Sequence, residues 1–94
     1  MQTVKVPGKH NKHKVLLYAI STCGWCKRAK NFLNENSVQY EYLDIDTCNS
    51  EDKNKSMNDI LNRGGRLAYP TIIVDNKLLL TGPTPEKLRE VLEL

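Results

Sequence analysis

Two residues between a pair of cysteines is a spacing that can do redox chemistry. In Thr22-Cys23-Gly24-Trp25-Cys26 the two sulfurs lie one turn apart if a helix begins there, close enough to bond to each other. A thiolate in such a pair can attack a disulfide, form a mixed disulfide and be displaced by its neighbour, leaving the pair oxidised. The same spacing is half of a tetrahedral thiolate site, which Cys48, His10 or His13 would have to complete. No second close pair of cysteines exists, so the redox reading leads and the metal reading is the alternative. Cys48 itself reads as a small hydrophobe or surface thiol; its functional version would be a regulatory disulfide or a small-thiol cap. No specific role is assigned to His10 or His13.

The chain that must position these sulfurs has 94 residues, 39% hydrophobic and 27% charged, enough for one small domain and too few for two cores. The longest apolar run, residues 15–20, is far short of the ~20 residues of a membrane-spanning helix. No apolar stretch or cleavage site follows the early lysines, so no signal peptide is expected. Three cysteines cannot all pair within one chain, which argues against a disulfide framework and for a reducing compartment. A cytoplasmic protein, with no membrane partner, is the expectation.

The net charge of +3 is unevenly placed: Lys5, Lys9, Lys12 and Lys14 precede any acid, leaving ten basic and eleven acidic residues in the rest. Residues 1–13 therefore read as a basic N-terminal arm and 14–94 as the domain. A basic arm could touch nucleic acid, making the chain a noncatalytic interaction module. Pro7, Gly8 and Asn11 favour a solvated arm instead, so a nucleic-acid partner is not expected.

Residues 14–20 form a nearly continuous apolar strand, as in a sheet covered on both faces. From about residue 23 to 35, Cys26, Ala29, Phe32 and Leu33 recur at helical spacing. Residues 38–45 alternate as a second strand. Ser50, with Glu51 and Asp52 behind it, should cap a second helix whose apolar face is Met57, Ile60 and Leu61 and which ends at Gly64-Gly65. Thr71 to Val74 and residues 77–81 read as a hairpin turning at Asp75-Asn76. A last helix follows, with Thr84 as cap, Pro85 first, and Leu88, Val91 and Leu92 facing inward. The order β-α-β-α-β-β-α predicts an α/β, thioredoxin-like fold, a four-stranded mixed sheet flanked by three helices.

In that fold Cys23 lies where a strand hands over to a helix, so its sulfur faces unpaired amides and the positive helix end, and its thiolate is favoured. Lys27, Arg28 and Lys30 add positive charge from side chains expected to point to solvent. Cys26, one turn on and more shielded, should resolve rather than attack. Tyr69-Pro70 immediately precedes the third strand, where a missing donor is tolerated. With the cysteine pair it looks like the cis-proline loop that faces the reactive cysteine in thioredoxin-fold proteins and holds substrate backbone beside the sulfur.

Tyr18, Thr22, Cys23, Cys26, the helix face from Ala29 to Leu33, Asp44-Ile45-Asp46, Arg66, Pro70 and Gly82 fall in an order that resembles the glutaredoxins, over roughly residues 14–94. The resemblance implies a dithiol thiol-disulfide oxidoreductase of the Cys-Gly-Trp-Cys type, without a prosthetic group, working through a Cys23–Cys26 redox-active disulfide. It implies substrate contacts at Thr22, Gly24, Trp25, Tyr69, Pro70, Gly82 and Thr84. Expected partners are disulfide-containing proteins or small thiols and a thiol or disulfide reductase system, with the protein a monomer. Some glutaredoxins with glycine after the first cysteine share an iron–sulfur cluster across a dimer, so Gly24 keeps a cluster-binding alternative.

Three departures bear on the reductant. Glutaredoxins commonly hold the glutathione carboxylate with a lysine three residues before the first cysteine, which here is Ile20. Their Thr-Val-Pro becomes Ala68-Tyr69-Pro70, bulkier at Tyr69. Their Gly-Gly and acid becomes Thr81-Gly82-Pro83-Thr84, with no acid for a γ-glutamyl amine. The pattern is similar to glutaredoxin-like proteins that use other small thiols, so glutathione and coenzyme M are both candidate reductants.

Overall fold

The computed structural model describes residues 1–94. Its strands are β1 (Val4–Val6), β2 (Val15–Ala19), β3 (Tyr40–Asp44), β4 (Thr71–Val74) and β5 (Leu78–Thr81), and its helices α1 (Gly24–Glu35), α2 (Ser50–Asn62) and α3 (Pro85–Leu92). They form one sheet in the order β1-β3-β2-β4-β5. The β2–α1–β3 crossover joins parallel neighbours, and β4 and β5 form the antiparallel hairpin. Asp75 and Asn76 both take positive φ at its turn, the backbone twist that matches a tight hairpin.

The sheet has five strands where the sequence predicts four. The extra one, β1, lies within the basic arm and pairs antiparallel with β3, setting Val4 against Tyr42, Lys5 against Glu41 and Val6 against Tyr40. Opposite charges face each other at its centre. His10 adds a bridge to Val38, donating its amide to the Ser37 carbonyl at 2.9 Å and accepting from Gln39 at 2.9 Å. Gly8 lets the arm pass this close: a Cβ there would sit 2.4 Å from the Ser37 carbonyl oxygen.

Alternation along β2 splits the core between the two faces of the sheet. Val15, Leu17 and Ala19 pack with Ala29, Phe32 and Leu33 of α1 and Leu88 and Leu92 of α3. Tyr18, Leu43 and Ile73 pack on the other side with Ile60 of α2. Helix α2 buries a narrower and more polar stripe than expected. Asp52, Ser56 and Ile60 face inward, Met57 is half-buried and Leu61 is exposed. The polar members are satisfied locally: Asp52 accepts from the Gln2 amide at 3.0 Å, and Ser56 donates to the Lys53 carbonyl at 2.7 Å. The cap of α2 is Asn49 rather than Ser50, its side-chain oxygen accepting from the Asp52 amide at 2.7 Å. Thr84 caps α3 as expected, accepting from the Lys87 amide at 3.1 Å, with Pro85 in the first turn.

His13 is not idle. Its Nδ1 lies 2.7 Å from an Asp75 carboxylate oxygen and its Nε2 2.9 Å from a Glu93 carboxylate oxygen, so the arm is tied to the β4–β5 turn and to the end of α3. Both ring nitrogens face acceptors, which fits the doubly protonated ring, and the hydrogen bonds to Asp75 and then Glu93 hold its pKa above the usual histidine value.

Candidate active site

Cys23 is the N-cap of α1. Its extended backbone leaves the first amides of the helix without partners inside the helix, and its sulfur accepts from the Cys26 amide at 3.3 Å. Its pKa is lowered, first by the Cys26 side chain as hydrogen-bond donor; burial opposes this next most strongly, and the amides of Cys26 and Trp25 add smaller lowering effects. Cys26, fully buried in the α1 face of the core, moves the other way. Burial, and then its hydrogen bond to Cys23, push it up to about 11, while the Ile20 amide at 3.5 Å and the charge of Lys30 pull weakly down. All three cysteines are free thiols in this structure.

The approach to Cys23 is held on both sides. The Cys23 amide donates to the Ile20 carbonyl at 3.0 Å, and Ser21 gives Asp46 two hydrogen bonds, from its amide at 2.9 Å and from its hydroxyl. Those bonds keep the Asp46 carboxyl below its ordinary pKa. Lys30 does not point to solvent as expected. Its ammonium sits 2.9 Å from Asp44 and 4.1 Å from the centre of the Tyr42 ring, tying α1 to the end of β3.

On the facing loop the Tyr69–Pro70 peptide is cis and Pro70 is buried. The Pro70 carbonyl accepts from the Gly82 amide at 2.7 Å, and the Thr71 hydroxyl donates to the Ala68 carbonyl at 2.6 Å. Gly82 takes φ of 54°, a left-handed conformation that favours glycine. Tyr69 is half-buried against both core clusters, and burial raises its phenol pKa.

Of the residues expected to touch substrate, Trp25, Pro70 and Gly82 come together as walls of one cleft of about 110 Å³, between α1 and the segment leading into α3. Gly24 borders a neighbouring depression with Trp25 and Arg28. Thr22 and Thr84 are exposed, and neither they nor Tyr69 line the cleft. The sequence pattern gives no part in substrate contact to Arg28, Ala29, Phe32, Pro83, Pro85 and Leu88, which complete the lining. The signal for Arg28 was its position three residues after Trp25, neighbours on a helix surface.

Tyr18, a member of the family pattern, is a core residue, fully buried with its hydroxyl donating to Asp59 at 2.7 Å. Cys48 is half-buried, its thiol 3.5 Å from the Ile45 carbonyl. No group of three His, Cys, Asp or Glu side chains stands together as a metal-binding set, and no helix is long and apolar enough to cross a membrane.

The Glutaredoxin family model matches residues 15–79. Glutaredoxin 1 of Rickettsia felis is 33% identical over 64 residues, 68% of this chain and 60% of that protein. Glutaredoxin 1 of Rickettsia bellii is 34% identical over 65 residues, 68% of this chain and 64% of that protein. The match thus spans less than two thirds of the length of these relatives. Among solved structures, the glutaredoxin from Methanosarcina mazei Go1 is similar in fold, with TM-score 0.88 at 24% identity over 100% of this chain and 90% of that one. Methanosarcina acetivorans methanoredoxin has TM-score 0.80 at 28% identity over 89% and 88%.

Proposed function

The chain belongs to the glutaredoxin family, and from that premise we propose that it is a dithiol thiol-disulfide oxidoreductase acting on protein or small-molecule disulfides. The observation that carries this reading is the asymmetry of the two sulfurs. Cys23 is half-exposed with its thiolate favoured, whereas Cys26 is buried with its thiol held protonated up to about 11.

The Cys23 thiolate attacks one sulfur of a substrate disulfide. A Cys23–substrate bond forms, the substrate S–S bond breaks, and the departing thiolate takes a proton from solvent. Cys26 then gives up its proton and attacks the Cys23 sulfur, releasing the second substrate thiolate, which is protonated in turn. Two protein thiols are oxidised and one disulfide is reduced, a two-electron exchange with no prosthetic group. Burial delays Cys26 until a mixed disulfide is present, and the amide on Cys23 steadies the charge it carries before attack.

Regeneration needs an outside reductant, either a small thiol or a disulfide reductase. Ile20 and the acid-free Thr81-Gly82-Pro83-Thr84 segment offer neither the lysine nor the acid that grip glutathione in the family, so coenzyme M stands beside glutathione as a candidate. Rates of reduction of the oxidised protein by each thiol decide between them.

The test is turnover of a disulfide substrate by the protein and two variants. Cys23→Ser loses the activity, and Cys26→Ser accumulates a mixed disulfide visible by intact mass. A Cys23→Ser protein with undiminished activity overturns the proposal.

A further inference from the structure

Cys26 must lose its proton before it can attack, and its sulfur lies fully buried. Burial, the hydrogen bond to Cys23 and the charge of Cys23 hold that proton on, while the Ile20 amide and the charge of Lys30 favour its release. Both effects of Cys23 require a Cys23 thiolate as acceptor or charge. Once that sulfur is bonded to substrate it carries no charge, and burial is what remains against the amide and the lysine.

Lys30 stands four residues after Cys26, a neighbour on the same side of α1. Of the three cations that follow the cysteine pair it alone turns inward: Lys27 and Arg28 are exposed, whereas the Lys30 side chain is 20% exposed. Its ammonium is held from two sides, 2.9 Å from an Asp44 carboxylate oxygen and 4.1 Å from the centre of the Tyr42 ring. Asp44 lies opposite Ala19 in the β2–β3 register, and the next residue, Ile20, directs its amide at the Cys26 sulfur across 3.5 Å. The ammonium and the sulfur thus flank the same end of β2. Other charged groups in this part of the fold are engaged elsewhere, Asp46 with Ser21 and Arg89 of α3 with the Phe32 ring. Tyr69 on the facing loop stays neutral, since burial raises its phenol pKa.

We propose that Lys30, fastened by Asp44 and Tyr42, promotes the resolving step by favouring the Cys26 thiolate once Cys23 is bonded to substrate. This deepens the oxidoreductase reading and rests on it. In that step the Cys26 thiol gives its proton to water and the thiolate attacks the Cys23 sulfur. The Cys23–Cys26 bond forms, the Cys23–substrate bond breaks, and the released substrate thiolate takes up a proton from solvent. Lys30 keeps its own proton throughout and touches no substrate; it acts through Cys26. Asp44 offsets part of its charge, so the effect on rate is modest.

The test follows oxidation of the reduced protein by dithiodipyridine in stopped flow. The first equivalent of thiopyridone released reports attack by Cys23; the second reports resolution by Cys26 and does not depend on reagent concentration. Lys30→Met and Lys30→Gln each slow the second step by about threefold and leave the first where it was. The fall is no larger because a thiolate of higher pKa is also the stronger nucleophile. Lys30→Arg restores most of the second rate. Asp44→Asn removes the opposing charge while the Tyr42 ring still holds the ammonium, and its second rate does not fall. In a Cys23→Ser protein, alkylation of Cys26 by iodoacetamide titrates at higher pH when Lys30→Met is added. A second rate unchanged in the neutral Lys30 variants, or slowed as much in Asp44→Asn, overturns the inference while leaving the oxidoreductase reading intact. If the wild-type protein releases no thiopyridone, that reading fails and this one falls with it.

Discussion

The amide of Cys26 points at the sulfur of Cys23 across 3.3 Å, so the second cysteine of the pair helps stabilise the thiolate of the first before any chemistry begins. Alkylation of the reduced protein by iodoacetamide should therefore modify Cys23 first. Cys23 titrates below an ordinary thiol, and Cys26 becomes reactive only as the pH nears about 11. Rates against pH, assigned by peptide mass, check the order. Faster modification of Cys26 would reverse the roles given to the two sulfurs.

Tyr18→Phe should destabilise the protein by about 1.5–3 kcal/mol, the range for a hydrogen bond to a charged group. The buried phenol donates to Asp59, which is also held by Arg63 at 2.8 Å. Asp59→Ala should cost more, since it leaves the Tyr18 hydroxyl without that acceptor and removes the carboxylate partner of Arg63, which keeps only its hydrogen bonds to Asn76. Urea unfolding of the two variants compares them, and a smaller loss for Asp59→Ala would contradict the network.

The His13 tie should make stability depend on pH in a defined window. The folded-state pKa of His13 is raised above 6.5, so its contribution is fully present below the unfolded value and lost as pH rises through the folded one. Asp75, lowered first by His13, and Glu93, lowered first by Lys12, work the other way. Their contributions are present above their ordinary values of 3.8 and 4.5 and lost as pH falls through the lowered ones. The tie is strongest between about 4.5 and 6.5. The urea midpoint should fall from pH 6 to pH 9 in the wild type and change less in His13→Gln; parallel profiles would remove the tie from the account.

Gly8→Ala should cost about 1–3 kcal/mol, the usual range for overpacking, because the added methyl meets backbone atoms of Ser37, Val38 and Gln39 rather than a side chain that can swing away. Hydrogen exchange at Gln39, whose amide donates to His10, should quicken in the variant. Unaltered exchange would mean that the arm passes the site without needing glycine.

The cysteine pair, the proline before β4 and the elements between them were legible because each depends on local pattern: apolar periodicity, a cap, a turn. What escaped depends on contacts distant in sequence. Val4-Lys5-Val6 is too short and too lysine-rich an environment to read as a strand, and only the outer side of β3 makes it one. Lys30 was assigned to solvent from its place on the helical wheel, yet Asp44, fourteen residues on, turns it inward. Asn49 and Ser50 are adjacent and equally able caps, and the fold selects the first.

The three residues of β1 also change what the sheet presents to other molecules. Without them the outer side of β3 would be a row of unpaired donors and acceptors, a template on which a stray strand could add. With them that template is occupied from within the same chain, and Pro7 immediately follows, a residue with no amide to extend the ladder. At the opposite rim β5 is only four residues long. The arm thus moves the β3 rim of the sheet onto a strand only three residues long, which offers an incoming strand fewer backbone partners than the bare side of β3 would.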